Sequence, residues 1–272
     1  TRYTADDFNN FILNKGYNSS TSKMVGTGAY FKEAEEKYGQ NALMMFSAAM
    51  NESANGTSKI AMDKNNLFGY GAADSSAYDL AYSYNSTRDS IMDYAEKTSN
   101  NYSSAKTGKY YYGSHYGNKS SGRNVKYATD PYWGEKQANK SFMNDKSYGG
   151  KDINSNTIGV VYKNLSKVWM FDKPERTDAA HIYTLKNPNN NADVHDIPLN
   201  IIDKVTGLNG VEFYKVYTDL LNSEGPLYGF IPVEEVYVLN NQPKIEASDK
   251  EIKLNSYFNP LDGIKAYDNE DG

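Results

Sequence analysis

Glu52 is the residue of this chain whose surroundings best suit proton transfer. An apolar segment of helical period, residues 41–50, precedes it, and Glu52 stands where that segment ends. The C-terminus of a helix carries partial negative charge, and apolar neighbours disfavour an ionised carboxyl group. Both effects favour the protonated carboxyl, so Glu52 is a candidate general acid. A lone glutamate at a helix end is more often a solvated surface residue, so the identification depends on the sequence around it.

Three sequence motifs follow one another in order from Glu52 onwards. They are ESANGTS at residues 52–58, KNNLFG at residues 64–69 and NVKYATDPYWG at residues 124–134. Together they resemble the bacterial glucosaminidases of glycoside hydrolase family 73, whose pattern is A-x-x-E-S-x-x-G-x-S followed by N-N-L-F-G. The family often has Gly-Trp where this chain has Ala54 and Asn55, so one aromatic beside the acid is missing.

The resemblance implies an activity and a set of site residues. It implies an endo-β-N-acetylglucosaminidase, a peptidoglycan hydrolase of the autolysin type. Such an enzyme cuts the β-1,4 bond between N-acetylglucosamine and N-acetylmuramic acid and needs no cofactor. Glu52 would be its general acid. We expect the glycan strand to contact four further side chains, those of Asn66, Phe68, Tyr78 and Tyr132.

The second catalytic group has two candidates. An inverting route needs a carboxylate base, for which Asp74 is the first choice and Asp79 the second. The other route uses the substrate's own 2-acetamido group as nucleophile, and Tyr127 would then orient that group or stabilise the developing positive charge. No glutamate lies between Glu52 and Glu96, which gives a slight preference for substrate assistance and leaves both routes open.

Two other classes of protein have to be considered. A lytic transglycosylase uses a single glutamate on a similar fold, although the NNLFG and YATDP segments argue against it. A non-catalytic cell-wall binding protein is the other alternative, and the presence of Glu52 argues against that one.

The first half of the chain predicts an α-helical, lysozyme-like catalytic domain with a small β lobe over residues 1–148. Capping signals at Thr4, Thr27 and residues 86–89 predict helix starts, and Asp130-Pro131 predicts another, with the aspartate as N-cap. The shift towards alternation over residues 67–84, with Gly69 and Gly71 in it, predicts a loop and a small β-hairpin lobe facing the cleft. The long Ser-, Asn-, Gly- and Tyr-rich stretch 99–124 is either a glycan-contacting flap carrying residues 110–112 or a surface loop.

The second half predicts strands. Six short β-type runs between residues 158 and 231 indicate a small barrel or sandwich. The segments GVEFYKVYT and GFIP resemble strands that pair in bacterial SH3-like domains. We expect this SH3-like barrel to cover residues 151–241. From residue 243 the chain resembles the start of a truncated Ig-like domain, residues 243–272. The fold class is therefore α+β multidomain.

Composition narrows the partners. The chain of 272 residues has no cysteine and a net charge of −5, which gives no disulfide framework, no thiolate metal site and no general nucleic-acid binding. No metal site is assigned, and no apolar run is long enough to cross a membrane. The first residues do not form a signal peptide, so we expect an excised fragment or a mature form. We further expect a secreted, cell-wall-associated monomer acting on peptidoglycan glycan strands.

Overall fold

The computed structural model combines a helical N-terminal part with a largely antiparallel, strand-rich C-terminal part. It describes residues 1–72, 76–153, 155–161, 168–185, 194, 197–239, 244–246, 251, 256–257, 259 and 263–267. Seven α-helices lie in the described N-terminal part: α1 Ala5–Asn14, α2 Gly28–Tyr38, α3 Ala42–Glu52, α4 Lys59–Lys64, α5 Ala77–Leu80, α6 Thr87–Thr98 and α7 Trp133–Ser147. A π-helical turn, Ser99–Ser103, and a 3-10 turn, Arg123–Val125, lie between α6 and α7.

Side-chain caps are present at two of the first three predicted helix starts, and the third, at Thr27, has no side-chain cap. Thr4 forms a capping box with Asp7, and the Ser86 hydroxyl accepts a hydrogen bond from the backbone N–H of Asp89. Helix α2 follows Thr27 and ends at Gly39, which adopts a left-handed conformation that a glycine tolerates without strain. These boundaries are confirmed.

Helix α3 is the centre of the helical core. Eight of its eleven residues are buried, because neighbouring elements cover it on most sides. Its Phe46 packs against Phe8 of α1 and Phe31 of α2, with ring centroids 4.8 and 5.2 Å away. The helix is thereby held rigidly up to its last residue, Glu52.

Two local predictions in this domain are wrong. In the described part of residues 67–84 the predicted loop is present but the predicted β-hairpin is not, and the short helix α5 is found in its place. Gly69 and Gly71 both have positive φ, and Tyr82 makes a single backbone bond to Tyr70 rather than a ladder. Helix α7 begins at Trp133 and not at Pro131, because the Asp130 carboxylate accepts the N–H of Tyr132 in a turn before the helix.

The strand-rich part contains a seven-stranded sheet with antiparallel pairing. Its strands are β1 Thr157–Val161, β2 Val168–Phe171, β3 His181–Leu185, β4 Ile197–Thr206, β5 Glu212–Tyr217, β6 Tyr228–Pro232 and β7 Val236–Leu239, in the order β3-β2-β6-β5-β4-β1-β7. All six predicted runs are strands, and β7 was not foreseen. The predicted pairing of the FYKV and GFIP segments is present as β5 with β6, Tyr214 opposite Ile231. The likeness to an SH3-like barrel and the domain boundaries stay predictions.

The predicted Ig-like segment lies mostly outside the described residues. Two short strands within it, β8 Lys244–Glu246 and β9 Lys265–Tyr267, pair in antiparallel fashion. In the described ranges no helix is long and apolar enough to cross a membrane. Those ranges also contain no cluster of three His, Cys, Asp or Glu side chains placed to hold a metal ion.

The long segment between α6 and α7 joins the two parts of the protein. Tyr111 is buried in the sheet's core and donates a hydrogen bond of 2.8 Å to Asp219, which follows β5. The Ser104 hydroxyl bonds the Glu224 carboxylate at 2.7 Å, and the N–H of Ala105 bonds the Asp219 carbonyl. The centre of the predicted flap is therefore an interdomain contact, and the Tyr111 ring is not available to a glycan.

Candidate functional site

A cleft of about 350 Å³ lies between α3 and α7, with the loop after α4 and helix α6 closing its sides. It is lined by Ala48, Glu52, Phe68, Tyr70, Tyr94, Tyr127, Trp133 and Gln137. Five of these side chains are aromatic, one is a carboxylate and none is cationic. Aromatic rings present flat apolar faces, so the lining suits a neutral ligand with apolar faces and polar edges, such as a sugar.

Glu52 is the last residue of α3 and is exposed to solvent at the cleft. Its Oε1 accepts a hydrogen bond of 3.0 Å from the side-chain amide of Asn51. No ion pair involving Glu52 is found in the described part of the chain. Its carboxyl group is therefore free of a fixed cation, and a substrate oxygen can reach it.

The rest of the first motif builds the turn that follows Glu52. The Ser53 hydroxyl donates to the Ala49 carbonyl at 2.6 Å and accepts the N–H of Gly56 at 2.7 Å. Gly56 has a φ of +78°, and a Cβ there would lie 2.7 Å from the backbone nitrogen of Met24. Ser58 then caps α4. These residues close the end of α3 tightly, and the Glu52 side chain remains exposed beside them.

The NNLFG segment forms one wall of the cleft, and Asn66 ties it together. Asn66 is buried; its Oδ1 accepts the N–H groups of Phe68 and Tyr70, and its Nδ2 donates to the carbonyls of Tyr70 and Tyr82. The Phe68 ring thereby stacks on Tyr94 of α6, with 3.9 Å between ring centroids. Phe68, Tyr70 and Tyr94 together form an aromatic side of the cleft.

The side chain of Tyr127 is hydrogen-bonded to that of Tyr94, and Tyr127 forms the adjoining part of the cleft lining together with Trp133. Their rings stack with centroids 4.3 Å apart, and Tyr102 packs edge-on against Tyr127 at 5.1 Å. Burial is the main cause that raises the pKa of Tyr127 well above the ordinary value, and the charge of Glu52 adds to it. Burial likewise raises the pKa of Tyr94, again with a contribution from Glu52. Both phenols are therefore protonated at neutral pH and can donate hydrogen bonds.

The structure brings three of the predicted site residues together in the cleft: Glu52, Phe68 and Tyr127. Asn66 lies behind the wall that it holds. Tyr78 donates a hydrogen bond to Asp63 and lies under the ammonium of Lys59, and it is not among the lining residues. Tyr132 is 65% exposed and is not among the lining residues; the next residue, Trp133, supplies a lining ring. Their predicted contacts with substrate stay predictions.

The two candidate bases are placed differently. Asp74 lies outside the described residues, so the structure adds nothing to its case. Asp79 lies exposed in α5, whose carbonyl groups bind the ammonium of Lys64. The choice between a carboxylate base and substrate assistance therefore rests on the sequence argument.

Five lining residues were not identified as site residues from the sequence: Ala48, Tyr70, Tyr94, Trp133 and Gln137. Ala48 belongs to the apolar segment that precedes Glu52, and Tyr94 follows the capping signal at residues 86–89, so both have the pattern of core residues. Tyr70 could have been found because it directly follows the KNNLFG motif, and Tyr94 because it lies in a helix whose start the sequence predicts. Gln137 had no signal other than a polar side chain on a helix face that turns out to be buried.

The helical part of the chain is similar to known proteins. Residues 28–145 match the family model Glucosaminidase, described as mannosyl-glycoprotein endo-beta-N-acetylglucosaminidase. Two Streptococcus pneumoniae proteins named "Putative endo-beta-N-acetylglucosaminidase" are 40% identical to this chain over 153 residues, which is 56% of it. The alignments cover 22% and 20% of those two proteins, so the chain spans about a fifth of the length of the curated relatives it matches.

Solved structures of S. aureus Autolysin E are also similar to this chain. A catalytic mutant in complex with the disaccharide NAG-NAM is 23% identical; the alignment covers 54% of this chain and 68% of that one, with a TM-score of 0.38. A second crystal structure of the same protein is 25% identical over 54% of this chain and 67% of its own, with a TM-score of 0.37.

Proposed function

We propose that the glucosaminidase domain formed by residues 28–145 hydrolyses peptidoglycan at the β-1,4 bond between N-acetylglucosamine and N-acetylmuramic acid. The domain is that of a glycoside hydrolase. The proposal includes the bond that is cut, the catalytic residues and the mechanism. It also includes the location of the protein, at the cell wall outside the cell, where peptidoglycan is found.

One observation carries the proposal: a carboxyl group without a cationic partner stands at the end of a rigid buried helix, over a cleft with aromatic walls. The aromatic rings hold the sugar faces, and the Glu52 carboxyl protonates the oxygen of the leaving sugar. Rigidity matters because general acid catalysis requires the proton within hydrogen-bond reach of the leaving oxygen.

The positive charge that develops on the sugar needs a partner. In substrate assistance the 2-acetamido group attacks the anomeric carbon, and Tyr127 is placed in the cleft wall with a neutral phenol that can orient that group. In the inverting route a water molecule attacks, activated by Asp74. Both routes use Glu52 in the same way.

The test is hydrolysis of purified peptidoglycan by Glu52→Gln, which keeps the shape of the side chain and removes the donated proton. We expect turnover to fall by about 10²–10⁴-fold, the usual contribution of proton transfer. Glu96→Gln, an exposed residue of α6 outside the cleft, is the matched control and should keep full turnover.

Product analysis of the wild type decides the reaction class. Mass spectrometry should find fragments with N-acetylglucosamine at the reducing end. Anhydro-muramyl ends would identify a lytic transglycosylase instead. Unchanged lysis by Glu52→Gln would remove Glu52 from the mechanism, and binding to walls without any cleavage by the wild type would indicate a wall-binding protein.

A further inference from the structure

Arg123 is a buried cation that none of the proposed catalytic steps uses. It begins the 3-10 turn before α7, directly ahead of the third sequence motif, and only 7% of it is exposed. Its Nε donates a hydrogen bond of 2.9 Å to the Ser114 carbonyl, and its Nη2 donates one of 2.5 Å to Oε1 of Gln40. Within the described ranges no carboxylate forms an ion pair with it. Burying a guanidinium on neutral acceptors costs free energy, so its role has to be sought in the segments that it joins.

On one side Arg123 is joined to the strand-rich part through Ser114. The Ser114 hydroxyl and its backbone N–H both donate to the carboxylate of Asp219, at 2.5 and 3.3 Å, while its carbonyl accepts from Arg123. Ser114 therefore stands between a carboxylate of the strand-rich part and a guanidinium of the helical part. Burial raises the pKa of Asp219, and the charge of Arg123 acts against that increase, so the two charges attract each other across Ser114.

On the other side Arg123 holds the part of the cleft lining that Tyr127 and Trp133 form. The Arg123 carbonyl accepts the backbone N–H of Tyr127 at 2.9 Å, and the Tyr127 ring stacks on Trp133. The guanidinium lies 5.8 Å from the centre of the Tyr116 ring, which packs edge-on against Trp133 with centroids 5.5 Å apart. Two aromatic neighbours of Trp133 thus depend on the position of Arg123.

Gln40 fixes the guanidinium from a third direction. It lies between α2 and α3, is 4% exposed, and donates through its Nε2 to the hydroxyls of Ser99 and Ser103 at 2.8 and 2.9 Å. A guanidinium is planar and carries its donors at fixed angles, so an arginine that bonds Gln40 and Ser114 at once is held in one position. The contact with the sheet and the lining of the cleft therefore cannot shift independently.

We propose that Arg123 is a positioning residue and that the strand-rich part, through Asp219 and Ser114, holds the Tyr127–Trp133 part of the cleft in place. The strand-rich part is then a component of the cleft and not an independent module. The consequence for turnover rests on the proposed function. The arrangement of the rings does not, so it can be tested without any reaction.

The test uses fluorine NMR of the full chain labelled with 5-fluorotryptophan. The chain has two tryptophans, Trp133 and Trp169, so it gives two signals, which Trp169→Phe assigns. Spectra are recorded below the melting temperature of each variant. We expect Asp219→Ala to move the Trp133 signal by more than its line width and to leave the Trp169 signal in place. Arg123→Lys keeps the charge but loses the planar fork, and it should also move the Trp133 signal.

Glu224→Ala is the matched control. The Glu224 carboxylate belongs to the same interdomain contact and accepts hydrogen bonds from two hydroxyl groups there, but it bonds neither Ser114 nor Arg123. This change should leave the Trp133 signal where it is. Equal shifts in Glu224→Ala and Asp219→Ala would mean that any weakening of the contact disturbs the cleft, and they would overturn the route through Arg123.

Ser114→Ala removes only the hydroxyl that bonds Asp219. It replaces Asp219→Ala if that variant does not fold, and it should give a smaller change of the same Trp133 signal. A Trp133 signal that stays in place in Ser114→Ala and in Arg123→Lys refutes the positioning role, whatever the wild type does to peptidoglycan.

Turnover distinguishes positioning from a purely structural role. At a temperature where every variant is folded, Arg123→Lys should hydrolyse purified peptidoglycan at least about tenfold more slowly, since a misplacement of about 1 Å can cost about 10²-fold. A purely structural role would lower the melting temperature and leave both the Trp133 signal and the turnover of the folded protein unchanged. If the signal responds as expected while the wild type cleaves nothing, the positioning stands and the proposed hydrolysis fails.

Discussion

The hydroxyl of Ser114 donates a hydrogen bond of 2.5 Å to the carboxylate of Asp219, across the contact between the helical part and the sheet. Tyr111 donates to the other oxygen of that carboxylate at 2.8 Å. No cation touches Asp219 in the described ranges, so these donors compensate its buried charge only in part. Burial is the main cause that raises the pKa of Asp219, although the hydrogen bonds from Ser114 and Tyr111 act against it.

The raised pKa of Asp219 makes the interdomain contact pH-dependent. The folded protein binds the proton more tightly than the unfolded chain, so Asp219 lowers stability above its folded pKa, and this loss disappears as pH falls below the ordinary aspartate value of about 4. Asp219→Asn has no such proton. We therefore expect the melting temperature of the wild type, relative to that of Asp219→Asn, to rise as pH falls from neutral towards the ordinary aspartate pKa.

Thermal unfolding of both proteins over this pH range measures the effect. Asp178→Asn, at an exposed position of the sheet domain, is the matched control and should show a difference from the wild type that does not vary with pH. A difference for Asp219→Asn that is constant, or that grows in the opposite direction, would contradict the assignment of a buried charge.

Ala54 adopts a left-handed backbone conformation, with a φ of 52°, directly after the turn that Ser53 closes. An L-residue with a Cβ is strained there by roughly 1–2 kcal/mol, and a glycine is not. The resembling family often has glycine at this position. Because glycine also gains entropy in the unfolded chain, we expect Ala54→Gly to raise the free energy of unfolding by a net of about 0.5–1 kcal/mol.

Denaturant unfolding would test this expectation. Ala29→Gly is the matched control: it lies exposed in helix α2, and there the same change should destabilise by about 0.5–1 kcal/mol. Destabilisation by Ala54→Gly of the same size as in the control would mean that the left-handed conformation at residue 54 is not strained.

Much of the helical part was predictable because its signals are local. Thr4, Asn41 and Ser86 cap helices with their own side chains, and a cap requires only residues three positions apart. The six strand runs were predictable for the same reason, since alternation and turn residues are read within one segment. The proposal that Glu52 is the general acid likewise rests on the three sequence motifs that begin with it.

Apart from the start of α7, the errors concern contacts between distant segments. The alternating pattern of residues 67–84 predicts a hairpin, but the side chain of Asn66 binds the carbonyls of Tyr70 and Tyr82 and holds the two ends as a loop. The sequence makes Tyr111 a candidate for a glycan contact. In the structure Tyr111 is buried in the core of the sheet and donates a hydrogen bond to Asp219. A local sequence pattern shows neither the contact of Asn66 with Tyr82 nor that of Tyr111 with Asp219, because the partners are many residues apart in the chain.

Mutation can distinguish a structural role of Asn66 from a role in substrate binding. Asn66→Ala removes four hydrogen bonds, and it leaves the N–H groups of Phe68 and Tyr70 and the carbonyls of Tyr70 and Tyr82 without that partner. We expect a loss of about 2–4 kcal/mol in the free energy of unfolding. Turnover should fall as well, because the aromatic wall that includes Phe68 and Tyr70 would lose its fixed position.

Thermal unfolding and steady-state kinetics together distinguish this from direct substrate binding. Asn85→Ala, at an exposed position of the same segment, is the matched control and should change neither quantity. A raised KM for Asn66→Ala with an unchanged melting temperature would instead favour the substrate contact that the sequence predicts for Asn66.

The last prediction concerns the second catalytic group. If the 2-acetamido group of the substrate is the nucleophile, Tyr127→Phe should cost substantial turnover, since it removes the neutral phenol that can orient that group in the cleft wall. Asp74→Asn should then cost little. If Asp74 is the base, Asp74→Asn should reduce turnover by about 10²–10⁴-fold, because water activation by proton transfer is lost. Asp178→Asn, at an exposed position of the strand-rich part, serves as the matched control for both routes.

Stereochemistry gives an independent answer, because water attack inverts the anomeric centre and neighbouring-group participation retains it. NMR of the product formed first, before mutarotation, distinguishes the two. We expect the β-anomer, because no glutamate lies between Glu52 and Glu96 and an aspartate side chain is short for a base that must stand across a cleft from the acid. An α-anomer, together with a large loss in Asp74→Asn, would reject substrate assistance and make Asp74 the base.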